Sequence, residues 1–194
     1  MLGTVLGFGL GLVMRIRFWP LRWILVAFVD VIRSIPVLVL LIIANYFLPG
    51  IIGRPELSPF AIATTVLTVN LCCFVADVVR GAFAHVPAGE IEAARAVGLT
   101  ETQVLMRFVL PRVTQLIIPT LTLLYIATIK NSSLASVIAV YDLAHVANLI
   151  STVRYRTLEP FIAMTALYLI LIMPLTLMAR RLEAAYGSAE GIGE

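Results

Sequence analysis

Apolar residues gather along the chain into five runs separated by short polar segments. Leu2 to Met14, Ile35 to Ile52, Pro59 to about Val79, Val113 to Ile129 and Phe161 to Ala179 hold almost only apolar side chains. A hydrocarbon core of ~30 Å asks for roughly twenty helical residues at ~1.5 Å each. The pattern therefore predicts an all-α membrane protein with about five transmembrane helices. The first run covers only roughly 20 Å. It is expected to be completed by residues before Met1, with a helix tilted against a thinned bilayer as the alternative. Its Gly3, Gly7 and Gly11 recur every fourth residue on one face, where a second helix could approach closely. Glycine is also simply commoner in membrane helices.

The segments between the runs carry their own signals. From Arg15 to Arg33 the chain mixes Arg15, Arg17, Arg22, Asp30 and Arg33 with apolar residues and with Trp19 and Trp23. That mixture fits an amphipathic helix lying in the membrane surface. Pro36 falls in the first turn of the second span, where a missing N–H costs little. Ser58 followed by Pro59 is a cap-and-start signal for the third. Pro174 predicts a bend in the fifth, and Arg180 and Arg181 stop it. Basic residues are unevenly shared: Arg15, Arg17, Arg22, Arg33, Arg80, Arg95, Arg107, Arg112, Arg180 and Arg181 on one side, Arg54, Lys130, Arg154 and Arg156 on the other. The positive-inside rule then places the N-terminus outside, and the central loop and C-terminus in the cytoplasm. Residues 1–186 form one membrane domain, and 187–194 a short cytoplasmic tail.

Composition narrows the class without changing it. The chain is 61% hydrophobic and 13% charged, against about 25% charged residues in soluble domains. A distributed net charge of +3 gives nucleic-acid binding no footing. Cys72 and Cys73 are neighbours within an apolar run and point about 100° apart on a helix, which disfavours a shared metal or a disulfide. No basic stretch precedes the first apolar run, so no secretory peptide is expected.

One polar stretch stands out, "EAARAVGLTETQVLMRFVLP" from Glu92 to Pro111. A short helix is predicted from about Ala88 to Val97, ended by Gly98 in a left-handed turn. Thr100 with Gln103 three residues on makes a capping box that starts a second short helix at a new angle. Pro111 closes that helix before the fourth span. Ala93, Ala94 and Val97 give the first helix a face of small side chains flanked by Glu90, Glu92 and Arg95. Such a face suits a groove on a soluble partner; an interfacial helix resting on lipid is the alternative, though few bulky anchors support it.

The spacing Glu92-Ala93-Ala94, Gly98, Phe108, Leu110-Pro111 resembles the EAA loop of permease subunits of type I ABC importers. Phe108 stands where that family more often carries Ile. The resemblance covers nearly the whole chain and narrows to the polar amino-acid branch. "RSIPVLVLL" is similar to that branch's "RGTPLLVQL", and "ADVVRGAF" to its "AEIVRGGI". "IKNSSLASVIAVYDL" is similar to "LKDTSLVSVIGVPEL". Ser34 and Ile35 replace Gly-Thr, Leu40 replaces Gln, and Asp77 replaces Glu. The resemblance implies half of a translocation pathway in a bacterial inner membrane, multi-pass, importing a polar amino acid or related small zwitterion. It implies as partners an ABC ATPase dimer, a second permease subunit (identical or paralogous) and an extracytoplasmic substrate-binding protein. Glu92, Ala93, Ala94 and Gly98 would dock on the ATPase, while Leu110 and Pro111 fix the angle at which the loop returns to the membrane.

Energy must then come from elsewhere. The chain's one lysine, Lys130, precedes Asn131 and follows no glycine-rich loop, so no P-loop is present. No cofactor is expected in this chain; ATP and Mg would be bound by the partner ATPase. Lys130, Asn131, Ser132 and Ser133 form a polar breach at the end of the fourth run, as in a broken, re-entrant element lining the pathway. A lysine snorkelling from a helix end is the equal alternative. Asp77 is either a pathway residue or an i,i+3 partner of Arg80. His85 and His145 have no ligand-spaced neighbours, no metal site is expected, and nothing positions Ser133, His145 and Asp142 as a catalytic triad. A secondary transporter or channel working alone is the rival function; it would favour paired intramembrane carboxylates or an inverted repeat.

Overall fold

The computed structural model describes residues 1–16 and 18–187. Arg17 and residues 188–194, most of the expected tail, lie outside the described residues. The described chain is helical, in the order α1 (Leu2–Val13), α2 (Trp19–Ser34), α3 (Val37–Ile52), α4 (Pro59–Ala84), α5 (Ala88–Ala96), α6 (Glu101–Val104), α7 (Leu110–Ser132), α8 (Leu143–Arg154) and α9 (Leu158–Gly187). A π-helical turn (Leu105–Val109) joins α6 to α7, and a 3-10 segment (Ser133–Ile138) joins α7 towards α8.

Each predicted apolar run is a helix. By length and apolarity α4, the continuous run Glu101–Ile138 and α9 can each cross a bilayer; α2 and α3 pass that test only together, bent by 104°. Pro36 explains the bend. It has no N–H to give and pushes Ile35 out of helical space, to φ −87 and ψ 128. Pro36 is thus the residue before α3 and not part of its first turn. The amphipathic α2 crosses the start of α3 instead of extending it, and Trp19 and Trp23 meet edge to face on its exposed side.

At 12 residues α1 is about 18 Å long, and packing holds it. Gly3, Gly7 and Gly11 are its buried residues. A Cβ on each would come within 2.8, 2.6 and 2.7 Å of the carbonyl oxygens of Thr68, Cys72 and Ala76. Both series advance by four, so α1 and α4 run parallel, with backbones as close as helices reach. Thr4 Oγ1 also meets the Tyr125 hydroxyl of α7 at 2.7 Å. In lipid there is no hydrophobic drive between helices, so such close van der Waals contact carries the association.

The hub is α4, buried on several sides. Its N-terminal half packs Ile62, Ala63 and Val66 on Leu41 of α3 and on Ala135 and Ile138. Cys73 and Ala76 pack on Met14 and Val29. Leu71, Val75, Val79 and Phe83 pack on Val113 and Ile117 of α7 and on the α5–α6 loop. Ser58 caps α4 as expected, accepting from the Ala61 N–H at 3.3 Å.

Candidate functional site

The loop between α4 and α7 is built from local codes. Pro87 precedes α5, and Gly98 at φ 82 ends it. The Leu99 N–H donates to the Ala94 carbonyl (3.3 Å) and the Gly98 N–H to the Arg95 carbonyl (3.0 Å), a complete Schellman end. Thr100 and Gln103 then form both bonds of the capping box, at 3.4 and 3.0 Å. A bracket not foreseen from the sequence spans this corner. Arg95 Nε and Nη2 donate to Glu101 Oε1 and Oε2 at 2.7 and 3.0 Å, a two-pronged pair on either side of Gly98. The guanidinium's hydrogen bond holds the Glu101 carboxyl below the usual carboxylate range. Arg112, at the start of α7, reaches Glu90 of α5 at 3.9 Å.

The expected small-residue face divides in two. Ala94 is 5% exposed and packs among the core residues Phe83, Val86, Val104 and Val109. Its side chain seats α5 on the membrane domain and is not offered to a partner, because neighbouring helix positions point about 100° apart and 93 and 94 cannot face the same way. Glu92, Ala93, Ala96, Gly98 and Val97 (77% exposed) form the outward surface. At Gly98 a Cβ would meet nothing within 4 Å, so the left-handed backbone alone constrains that position from within the chain. Leu110 is half-buried and Pro111 exposed. The π turn ends just before Pro111, whose ring would clash with the carbonyl of Arg107 in a tighter α-helical turn.

The second feature lies at the other end of α7. The helix runs to Ser132, tightens into Ser133–Ile138 and stops at Ala139, a non-glycine residue at φ 62. The run Glu101–Ile138 is thus continuous through "KNSS", and the break expected there is not seen; the chain leaves the helix only at Ala139. A cavity of about 560 Å³ opens beside it, lined by Lys130 and Ser133, by Ala144 of α8, and by Thr165, Tyr168 and Thr176 among others on α9. The Lys130 ammonium has no ion pair among the described residues. Asn131 and Ser132 do not line the cavity; both are half-buried, and the Ser132 hydroxyl donates to the Ile129 carbonyl at 2.8 Å. Tyr168 and its α9 neighbours were missed in the sequence because nothing distinguishes them inside an apolar run. The residues of the paper triad are employed otherwise: Ser133 donates to the Lys130 carbonyl, and Asp142 caps α8 by accepting from the His145 backbone N–H.

Asp77 does not line this cavity. Its carboxylate lies between Arg80, at 2.5 Å, and Arg33 of α2, at 2.7 Å, and this double ion pair ties α2 to α4. The Arg33 guanidinium also sits over the Phe74 ring and that of Arg15 over Phe83. The i,i+3 half of the arrangement was legible; the link to α2 was not. Asn70, 7% exposed, is the one buried polar residue among those described, and its amide nitrogen lacks a partner.

Residues 3–187 match the family described as "Binding-protein-dependent transport system inner membrane component". The chain is 34% identical over 179 residues to the probable glutamine ABC transporter permease protein GlnM of Bacillus subtilis (strain 168), covering 90% of this chain and 82% of that one. It is also 34% identical over 184 residues to the octopine transport system permease protein OccM of Rhizobium radiobacter, covering 88% and 72%. The crystal structure of an amino acid ABC transporter with histidines aligns at a TM-score of 0.85 and 27% identity, covering 95% of this chain and 85% of that one. An inward-facing MetNI methionine ABC transporter aligns at 0.76 and 24% identity, a likeness of fold alone.

Proposed function

The chain belongs to the family of binding-protein-dependent transport system inner membrane components, and from that premise we propose that it forms half of the translocation pathway of an ATP-driven amino-acid importer. Its cargo is a polar amino acid or related small zwitterion, in keeping with relatives named for glutamine and octopine. A second permease subunit supplies the other half, a binding protein outside delivers the cargo, and an ABC ATPase dimer binds ATP and Mg. The N-terminus faces out, and the α4–α7 loop and C-terminus face the cytoplasm. The parallel course of α1 and α4 agrees with that topology. Family membership favours this reading over a transporter working alone.

The observation that carries the ATPase contact is the outward face of α5. Glu92, Ala93, Ala96 and Val97 are exposed on a helix fixed at both ends, by the Arg112–Glu90 pair and by the bracketed Gly98 corner. A small, stiff, exposed helix face suits insertion into a groove. Closure of the ATPase dimer would draw two such helices together and turn the pathway outward; hydrolysis would reset it. The test is co-purification from native membranes together with uptake, comparing wild type with Gly98→Asp. Wild type brings down an ABC ATPase, and the variant loses it or loses uptake by about tenfold or more. Absence of an ATPase from both preparations sinks the reading, as does normal uptake with normal ATPase binding by the variant.

A further inference from the structure

The corner between α1 and α2 gathers positive charge that the described chain leaves unmatched. Between Met1 and Val29 the sequence holds Arg15, Arg17 and Arg22 and no Asp or Glu. Arg15 and Arg22 are exposed, and neither forms an ion pair among the described residues. Arg22 stands four and seven residues before Val26 and Val29, which pack with Met14 at the end of α1. It therefore shares their face and lies on the side of α2 where Arg15 leaves α1. Trp19 and Trp23 flank Arg22, 70% and 59% exposed, and meet edge to face at 6.4 Å. Ile24, Phe28 and Val31 form a further exposed apolar strip along α2. The 104° bend between α2 and α3 lays α2 nearly in the membrane plane when α3 crosses it.

We infer that this corner binds an anionic phospholipid of the cytoplasmic leaflet, with Arg15 and Arg22 holding the head-group phosphate and the exposed strip of α2 lying along its acyl chains. The inference rests on the importer reading only for its topology, which puts the end of α1 at the cytoplasmic surface. It goes beyond that reading by giving the chain a lipid partner. Charge complementarity decides the occupant. Guanidiniums pair with phosphate oxygens through parallel N–H donors, and an anionic head group brings no cation of its own to compete for the phosphate. A soluble partner would leave Ile24, Phe28 and Val31 uncovered, and a zwitterionic lipid would leave the guanidiniums without net countercharge. Tryptophan favours the level of the head groups, and basic residues on an interfacial helix draw anionic lipid. The site also touches the core that seats the docking loop. The Arg15 guanidinium lies 4.1 Å over the Phe83 ring, and Phe83 packs in one core with Ala94 of α5.

Trp19 and Trp23 are the chain's two tryptophans, so their emission reports on this corner. The test reconstitutes the permease–ATPase complex in phosphatidylcholine vesicles and titrates in phosphatidylglycerol with brominated chains, which quench tryptophan on contact. Brominated phosphatidylcholine is the control lipid, and a Trp19→Phe/Trp23→Phe variant supplies the emission of the partner chains for subtraction. Wild type is half-quenched at a mole fraction of phosphatidylglycerol about fivefold or more below that of phosphatidylcholine. Arg15→Gln/Arg22→Gln is quenched equally by both lipids, while Arg15→Lys/Arg22→Lys keeps a preference because it keeps the charge. Equal quenching of wild type overturns the site, as does a preference that survives the glutamine variant. So does a lysine variant that loses the preference as fully as the glutamine one. A preference abolished when inorganic phosphate replaces chloride at constant ionic strength also overturns it, since the corner would then take free phosphate. Binding-protein-dependent uptake in the same vesicles separates the two readings. Uptake without a lipid preference sinks the lipid site alone, and a lipid preference without uptake of any amino acid sinks the importer reading alone.

Discussion

A single carboxylate shows how much one residue decides in this chain. Asp77 lies between two guanidiniums, and Arg33 Nε and Arg80 Nε are buried without partners of their own. Removing its charge leaves two half-buried cations facing each other. Asp77→Asn is therefore expected to destabilise the detergent-solubilised protein by roughly 1–3 kcal/mol, less than a fully buried pair because all three groups keep some exposure. Thermal unfolding of Asp77→Asn, Arg33→Gln and the double variant checks this. The double variant should lose less than the sum of the single ones; strict additivity would mean that α2 is held by something else. Sequence could offer Asp77 a neighbour three residues along its own helix. It could not offer Arg33, which is brought there only by the corner at Pro36. An ionisable residue in an apolar run invites a pathway role, and here a tertiary ion pair takes its place.

Elements built from local codes were legible, and those that need a second surface were not. The Ser58 cap, the Gly98 corner and the Thr100–Gln103 box each depend on residues within six positions of one another. All three stand as read. The glycine stripe of α1 was legible as a stripe, but not its partner or direction. Which way Ala94 faces depends on Phe83 and Val109, far from it in sequence. The stripe gives a sharp comparison on one helix. A Cβ at Gly7 would lie 2.6 Å from the Cys72 carbonyl and 2.7 Å from Val75 Cβ, while at Gly9 it meets nothing within 4 Å. Gly7→Leu should force α1 from α4 and cost at least the 1–3 kcal/mol typical of overpacking. Gly9→Leu should be neutral or slightly stabilising, since it removes a glycine from a helix interior. Equal melting temperatures for the two variants would show that α1 does not depend on close approach to α4.

At the scale of the whole molecule, the 3-10 turn after Ser132 lies at one end of α7, and the π turn that leads in from α6 and the Gly98 corner lies at the other. The cavity could not be read from the sequence because half of its wall belongs to α9, a run of uniform apolar character. For α7 to connect an energy-driven loop to a substrate cavity, its two ends must also lie on opposite sides of the membrane. Val97, beside the corner, and Val153, near the end of α8, are 77% and 69% exposed, so each can report the side it lies on. With Cys72 and Cys73 replaced by alanine, Val97→Cys should react with a membrane-impermeant maleimide only in inside-out vesicles. Val153→Cys should react only in right-side-out ones. Adding the purified ATPase subunit to vesicles depleted of it should slow labelling at Val97→Cys by about tenfold or more, as burial in a groove does, and leave Val153→Cys unchanged. Labelling of both positions from one side would place both ends of α7 on the same face, and then movement of the docking loop could not turn the cavity from one side to the other. Reversed sidedness would put α5 out of reach of any cytoplasmic ATPase. Labelling from the expected sides without protection at Val97 would leave the topology intact and move the docking surface off α5, towards the exposed Leu105, Met106 and Phe108 of the π turn.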